Sequence, residues 1–190
     1  MFSFFNPAQI QWLVVALSTT ALLVLAVIFR RRLAASLKQR QIGQAIRRLG
    51  PKVHHDLLVP DGIDGVLVAD YVVLTHKGIL LVTVNWYEGN IFGGKDTDQW
   101  TQVLRGTSHR FNNPLHELQL ICATVRSLVP NIPVSGIVLF AGDCAFPKDK
   151  PDGACLVNDL PRRRRKQVVP PRFETAWELL LAKAGMLRVN

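Results

Sequence analysis

The feature that most limits what this chain can become is an uncharged run at residues 10–29, closed abruptly by Arg30, Arg31 and Arg32. At about 1.5 Å rise per residue, a helix of roughly 20 apolar residues matches the hydrocarbon thickness of a bilayer. Trp12 stands near its outer end, where an amphipathic ring suits the membrane interface. A cleaved signal peptide carries its positive charge before the apolar run. Here no Lys or Arg precedes the run and three Arg follow it. The expectation is a retained transmembrane helix over residues 10–29, behind a short extracytoplasmic segment, residues 1–9. Seven Lys/Arg lie within residues 30–48, and the first acidic residue is Asp56. By the positive-inside rule the N-terminus faces out, and everything after Arg30 lies in the cytoplasm.

The net charge of +9 suggests nucleic acid, but its distribution points elsewhere. Residues 1–52 hold eight Lys/Arg and no acid; residues 53–161 hold seven Lys/Arg against twelve Asp/Glu, a net −5. The basic character therefore sits in a juxtamembrane helix, residues 30–50, and in the run Arg162, Arg163, Arg164, Arg165 and Lys166. Each Lys/Arg beside an anionic leaflet contributes about 1 kcal/mol, so anionic lipid head groups are the expected partner of Arg30, Arg31 and Arg32. The late run is read as a solvated loop, with anionic lipid or nucleic-acid backbone contact as its rival roles. A mildly acidic body makes nucleic-acid binding weak and favours a protein partner.

Cys122, Cys144 and Cys155 contain no Cys-x-x-Cys pair, and in a reducing cytoplasm they are expected as buried thiols. His54 and His55 are adjacent, so on a strand they face opposite ways and cannot share a metal.

Beyond the basic helix, Gly50-Pro51 is a stop. Strands are expected at residues 53–59, at 63 to about 74 with an irregularity near Asp70, at 79–86, and briefly at 90–92. Asn113-Pro114 starts a helix, with Asn as N-cap and Pro at the first helical position; it ends at Pro130. Strands follow at 134–140 and 154–157, and a helix at 173–184. This order predicts an α/β domain over residues 51–190, a mixed sheet sandwiched by helices.

Several pieces now fall in an ordered set. They are Ile42-Gly43-Gln44, His54-His55-Asp56-Leu57-Leu58-Val59-Pro60, Ile63-Asp64, Gly78-Ile79-Leu80-Leu81-Val82, Asn85-Trp86-Tyr87-Glu88-Gly89-Asn90-Ile91-Phe92-Gly93, Trp100-Thr101-Gln102 and Phe111-Asn112-Asn113-Pro114-Leu115. In that order and spacing, the sequence resembles the nuclease-related domain (NERD) family over roughly residues 41–140. The resemblance implies a restriction-endonuclease-like fold and, where the site is intact, a metal-dependent nuclease. In the family the site takes a Glu from the first helix, an Asp from the second strand, and a Glu-x-Lys from the next. Such carboxylates hold a hard divalent cation that activates water and offsets charge on the phosphate.

Carried onto this sequence, the first-helix Glu falls on Gln44, the Asp on Asp64, and the Glu and Lys on Thr83 and Asn85. One carboxylate of three survives and the Lys is gone. The expectation is a membrane-anchored pseudo-nuclease that binds or scaffolds without cutting and needs no cofactor. The alternative is a divergent Mg²⁺-dependent nuclease using Asp64 with relocated carboxylates such as Asp61, Asp70 or Glu88. His55, Trp100, Gln102, Phe111 and Asn113 are expected to pack or cap.

Overall fold

The computed structural model describes residues 7–60, 65–162 and 168–185, with Leu17 the single side chain described before Thr20. Helix α1 runs from Pro7–Ile46. Among the described residues no helix is long and apolar enough to cross a membrane. The expected span, residues 10–29, falls on α1, and most of its side chains before Thr20 lie outside the described residues. Where they are described, residues 20–30 are exposed on every side.

The chain divides into two units, Met1–Gln41 and Ile42–Asn190. The second is a mixed α/β domain with two mixed sheets, so the expected single sheet is corrected to two. The first sheet has the order β1-β2-β3-β7-β9, from β1 (Lys52–Pro60), β2 (Val66–Thr75), β3 (Gly78–Trp86), β7 (Val134–Ala141) and β9 (Ala154–Leu156). The first three strands are antiparallel meanders, whereas β3, β7 and β9 run parallel. The second sheet has the order β6-β5-β4-β8, from β4 (Gly89–Phe92), β5 (Gln99–Leu104), β6 (Thr107–Asn112) and β8 (Cys144–Ala145). β5, β6 and β8 were not expected.

Helices α2 (Pro114–Leu128) and α3 (Pro171–Gly185) cover one face of the first sheet. Leu118, Ile121 and Val125 of α2 recur at helical spacing on its buried side, as do Phe173, Trp177, Leu180 and Ala184 of α3. They meet Val72, Leu74, Ile79, Leu81 and Val138 of the sheet. On the other face, Ile42, Ala45 and Ile46 at the end of α1 pack with Val73, Val82, Leu139 and Leu160.

The two sheets are joined through aromatic rings. Trp100 of β5, fully buried, stacks on Phe140 of β7 at 5.7 Å between centroids, and Phe146 stands edge-on to Phe140 at 5.1 Å. Tyr87 stacks on Phe111 at 4.5 Å. Gly93 lets the chain pass against the Trp100 ring, where a Cβ would collide with it.

Candidate functional site

Strands β1 and β2 both change face at the same level. Leu67 and Ala69 of β2 point to the α2/α3 core, yet beyond them it is Val72 and Leu74 that do, while Tyr71 and Val73 turn to the α1 side. On β1, Val53 faces the α1 side, whereas Leu57 and Val59 face the α2/α3 core. Side chains alternate with period two, so such reversals require a local break in each strand. The register is the same on both sides of it, His55↔Tyr71 and Leu57↔Ala69, which leaves Asp56 and Asp70 opposite one another at the break. Asp56 adopts a left-handed backbone, φ 52°, which Asp tolerates better than most residues. The irregularity expected near Asp70 is therefore present, and it is shared with β1.

The β2–β3 ladder also stops here. Its last pair is Tyr71↔Val82, although β3 continues beside β7 to Trp86. The Asp70 carboxylate takes over at that point, its Oδ2 accepting the Val84 backbone N–H at 2.7 Å. Asp70 is half-buried, and its carboxyl is pushed above the usual range. Burial is the main cause and the Asp56 charge adds to it, against the lowering effects of the Val84 N–H and His55.

Around this point, His55 Nδ1 lies 2.6 Å from Asp56 Oδ2, and its ring stands edge-on to Tyr71 at 4.5 Å. Burial raises the Tyr71 phenol, reinforced by Asp56 and Asp70 and opposed by Arg47. A Cβ on Gly43 would lie 3.6 Å from the Tyr71 hydroxyl, which brings the end of α1 to this cluster.

Thr83 and Asn85 lie on β3, sharing a face by alternation, and both are partly buried. Gln44 is exposed near the end of α1. Asp64 and Asp61, and with them the expected start of the strand at residue 63, lie outside the described residues; the described strand β2 begins at Val66. The carboxylate that reaches β3 is Asp70. Glu88 is exposed between β3 and β4, where its carbonyl accepts Gln102 Nε2–H at 2.7 Å. Arg30, Arg32 and Arg162 are exposed; the Arg31 side chain and Arg163, Arg164, Arg165 and Lys166 lie outside the described residues.

Hard divalent cations need several oxygen ligands with two or three negative charges. At the expected positions Gln44, Thr83 and Asn85 are neutral; Asp70, with Asp56 opposite it across β1 and β2, supplies the acid at the break, and its Oδ2 accepts the Val84 N–H. Among the described residues no group of three or more His, Cys, Asp or Glu is placed to hold a metal. Gln44, Thr83 and Asn85 add no charge toward that need, and Asp61 and Asp64 lie outside the described residues.

The other recurrent residues pack or cap. Asn113 Oδ1 accepts Leu115 N–H at 2.9 Å as the N-cap of α2, while its Nδ2 donates to the Lys95 and Thr97 carbonyls at 3.0 and 2.8 Å. Trp100 Nε1 donates to Gly94 O at 2.9 Å. Of the three free thiols only Cys122 is buried, whereas Cys144 and Cys155 are partly accessible.

The architecture is thus a two-sheet α/β domain organised about a break where β2 leaves β3. The family described as Nuclease-related domain (NERD) matches residues 31–141, more than half of the chain, and the chain belongs to this family. It is also similar to an uncharacterized protein of Bacillus anthracis, 23% identical over 112 residues, covering 57% of this chain and 53% of that protein. The chain spans about half the length of that relative. No solved structure matches it.

Proposed function

We propose that this chain is a single-pass membrane-anchored NERD protein whose domain, restriction-endonuclease-like in fold, lies in the cytoplasm and binds or scaffolds without cleaving nucleic acid. The observation that carries this reading is the state of the β2–β3 junction. Asp70 supplies one carboxylate, turned to the Val84 N–H, and the β3 positions that would complete a metal site are Thr83 and Asn85. No Lys stands two residues beyond an acid there to polarise water.

Anchoring is supported by α1. Leu22, Leu23, Val24 and Leu25 are 71%, 65%, 57% and 64% exposed, and four consecutive helical positions point to all sides of the helix. A helix apolar all round belongs in a core or a bilayer. Arg30 and Arg32 then stand where anionic lipid head groups begin. The net −5 of residues 53–161 favours a protein partner over nucleic acid, leaving Arg162, Arg163, Arg164, Arg165 and Lys166 as the surface for any weak phosphate contact.

A divergent metal-dependent nuclease is the second reading, and the facing of Asp56 and Asp70 across β1 and β2 favours it. Incubating the full-length chain with plasmid DNA and with RNA, in Mg²⁺ and in Mn²⁺, separates the two. The binding-module reading expects no cleavage. Metal-dependent cleavage that disappears in Asp70→Asn establishes the nuclease instead.

A further inference from the structure

Strand β7 leaves part of its outer edge open. β9 pairs with it at Val138, Leu139 and Phe140, so among the described residues no strand flanks residues 134–137 on that side. Along a strand beside a parallel partner, the N–H and C=O of one residue point to the same side, and the next residue points to the other. Val138 N–H reaches Gly153 O on the outer side at 2.7 Å. Two positions before Gly136, the Val134 carbonyl accepts Arg126 Nη2–H at 2.9 Å. Gly136, midway between them, therefore directs its N–H and C=O outward as well.

That edge borders a cavity of about 330 Å³ between α2, β7 and the segment before β9. Its apolar wall is Leu118 and Cys122, against which Gly136 is so close that a Cβ would lie 2.7 and 2.8 Å from their side chains. Its charged lining is Lys95, Arg126 and Asp152, one positive charge in excess. The bond to Val134 holds one arm of the Arg126 guanidinium in place and leaves its other donors for a ligand.

We propose that this cavity binds the C-terminal end of an extended peptide. Its backbone adds to the free edge at Gly136, its terminal carboxylate lies against Arg126 and Lys95, and its apolar last side chain rests on Leu118 and Cys122. Strand addition supplies the backbone pairing and a cationic rim selects the terminus. The volume lies at the low end of ligand pockets, about 300–1,000 Å³, which limits the occupant to the last residues of the peptide. The site is remote in sequence from Asp70 and stands whether or not the domain cleaves nucleic acid.

The test is calorimetric titration of the full-length chain in lipid nanodiscs with acetyl-Val-Leu carrying a free carboxylate, with the same peptide as its amide, and with isocaproate. The free-acid peptide should bind, and both others should bind about tenfold more weakly or worse, the scale of a lost charge-assisted bond or strand pairing. In Arg126→Met the preference for the acid over the amide should shrink several-fold; should that variant lose its thermal transition, Lys95→Met should lower affinity for the acid alone. The Gly136 amide resonance should move on binding. Equal affinity for acid and amide, isocaproate binding as tightly as the peptide, or no binding at all overturns the proposal.

Discussion

Asp70 is a half-buried acid whose Oδ2 accepts a backbone N–H, and this makes its chemistry testable without reference to a reaction. Asp70→Ala leaves the Val84 N–H without its acceptor and should cost about 1–3 kcal/mol. Asp70→Asn keeps an acceptor oxygen and removes a charge that burial disfavours, so its thermal midpoint at pH 7 should match or exceed that of the parent. Because the folded-state pKa is raised above the unfolded one, the folded state holds this proton more tightly. The contribution is fully present below the unfolded pKa and is lost as pH rises through the folded pKa. Thermal melts from acid to neutral pH should show this decline in the parent and its absence in Asp70→Asn; identical pH profiles would contradict the account. This residue was only half legible beforehand. The run from Val66 to Leu74 is apolar in both phases of a period-two pattern, so it announces an irregularity near Asp70 without saying which acid reaches β3. That choice depends on the paired break at Asp56 on β1, which is set by tertiary structure rather than by local sequence.

At the scale of elements, α2 could be read directly, because Asn113-Pro114 is a start signal with a local mechanism and the apolar positions behind it keep helical spacing. Strands β1, β3 and β7 were legible for a similar reason, being apolar runs between turn residues. The β5–β6 hairpin was not. Its strands are mostly polar and face solvent, with a single large anchor, Trp100, fully buried. The one signal available was Arg105-Gly106, where both residues have positive φ, 51° and 81°, as a two-residue type I′ turn requires. The stack of Trp100 on Phe140 then becomes the principal apolar tie between the second sheet and the first. Trp100→Ala should destabilise the domain by about 3–5 kcal/mol, and Gly93→Ala should also destabilise it, since its Cβ would enter the Trp100 ring. Denaturant melts check both, and a loss within error for Trp100→Ala would show that the sheets are held together otherwise.

For the whole molecule, the proposal joins an anchor to a domain that binds without cutting. A reporter fused after Asn190 should be active only in the cytoplasm and one fused at the N-terminus only outside, because the charge contrast across residues 10–29 sets orientation; the reverse pattern would overturn the topology. The family and the α/β class were readable from ordered motifs spread along the chain, whereas the second sheet and the placing of Asp70 against β3 came from long-range pairing. The central claim is that the β2–β3 junction no longer holds a divalent metal. Titrating the full-length chain with Mn²⁺ by electron paramagnetic resonance tests it most directly. The parent should leave the free-ion signal undiminished, and the triple change Gln44→Glu, Thr83→Glu and Asn85→Lys, which restores two carboxylates and the Lys at the expected positions, should reduce it. Stoichiometric Mn²⁺ binding by the unmodified chain, abolished in Asp70→Asn, would contradict the account.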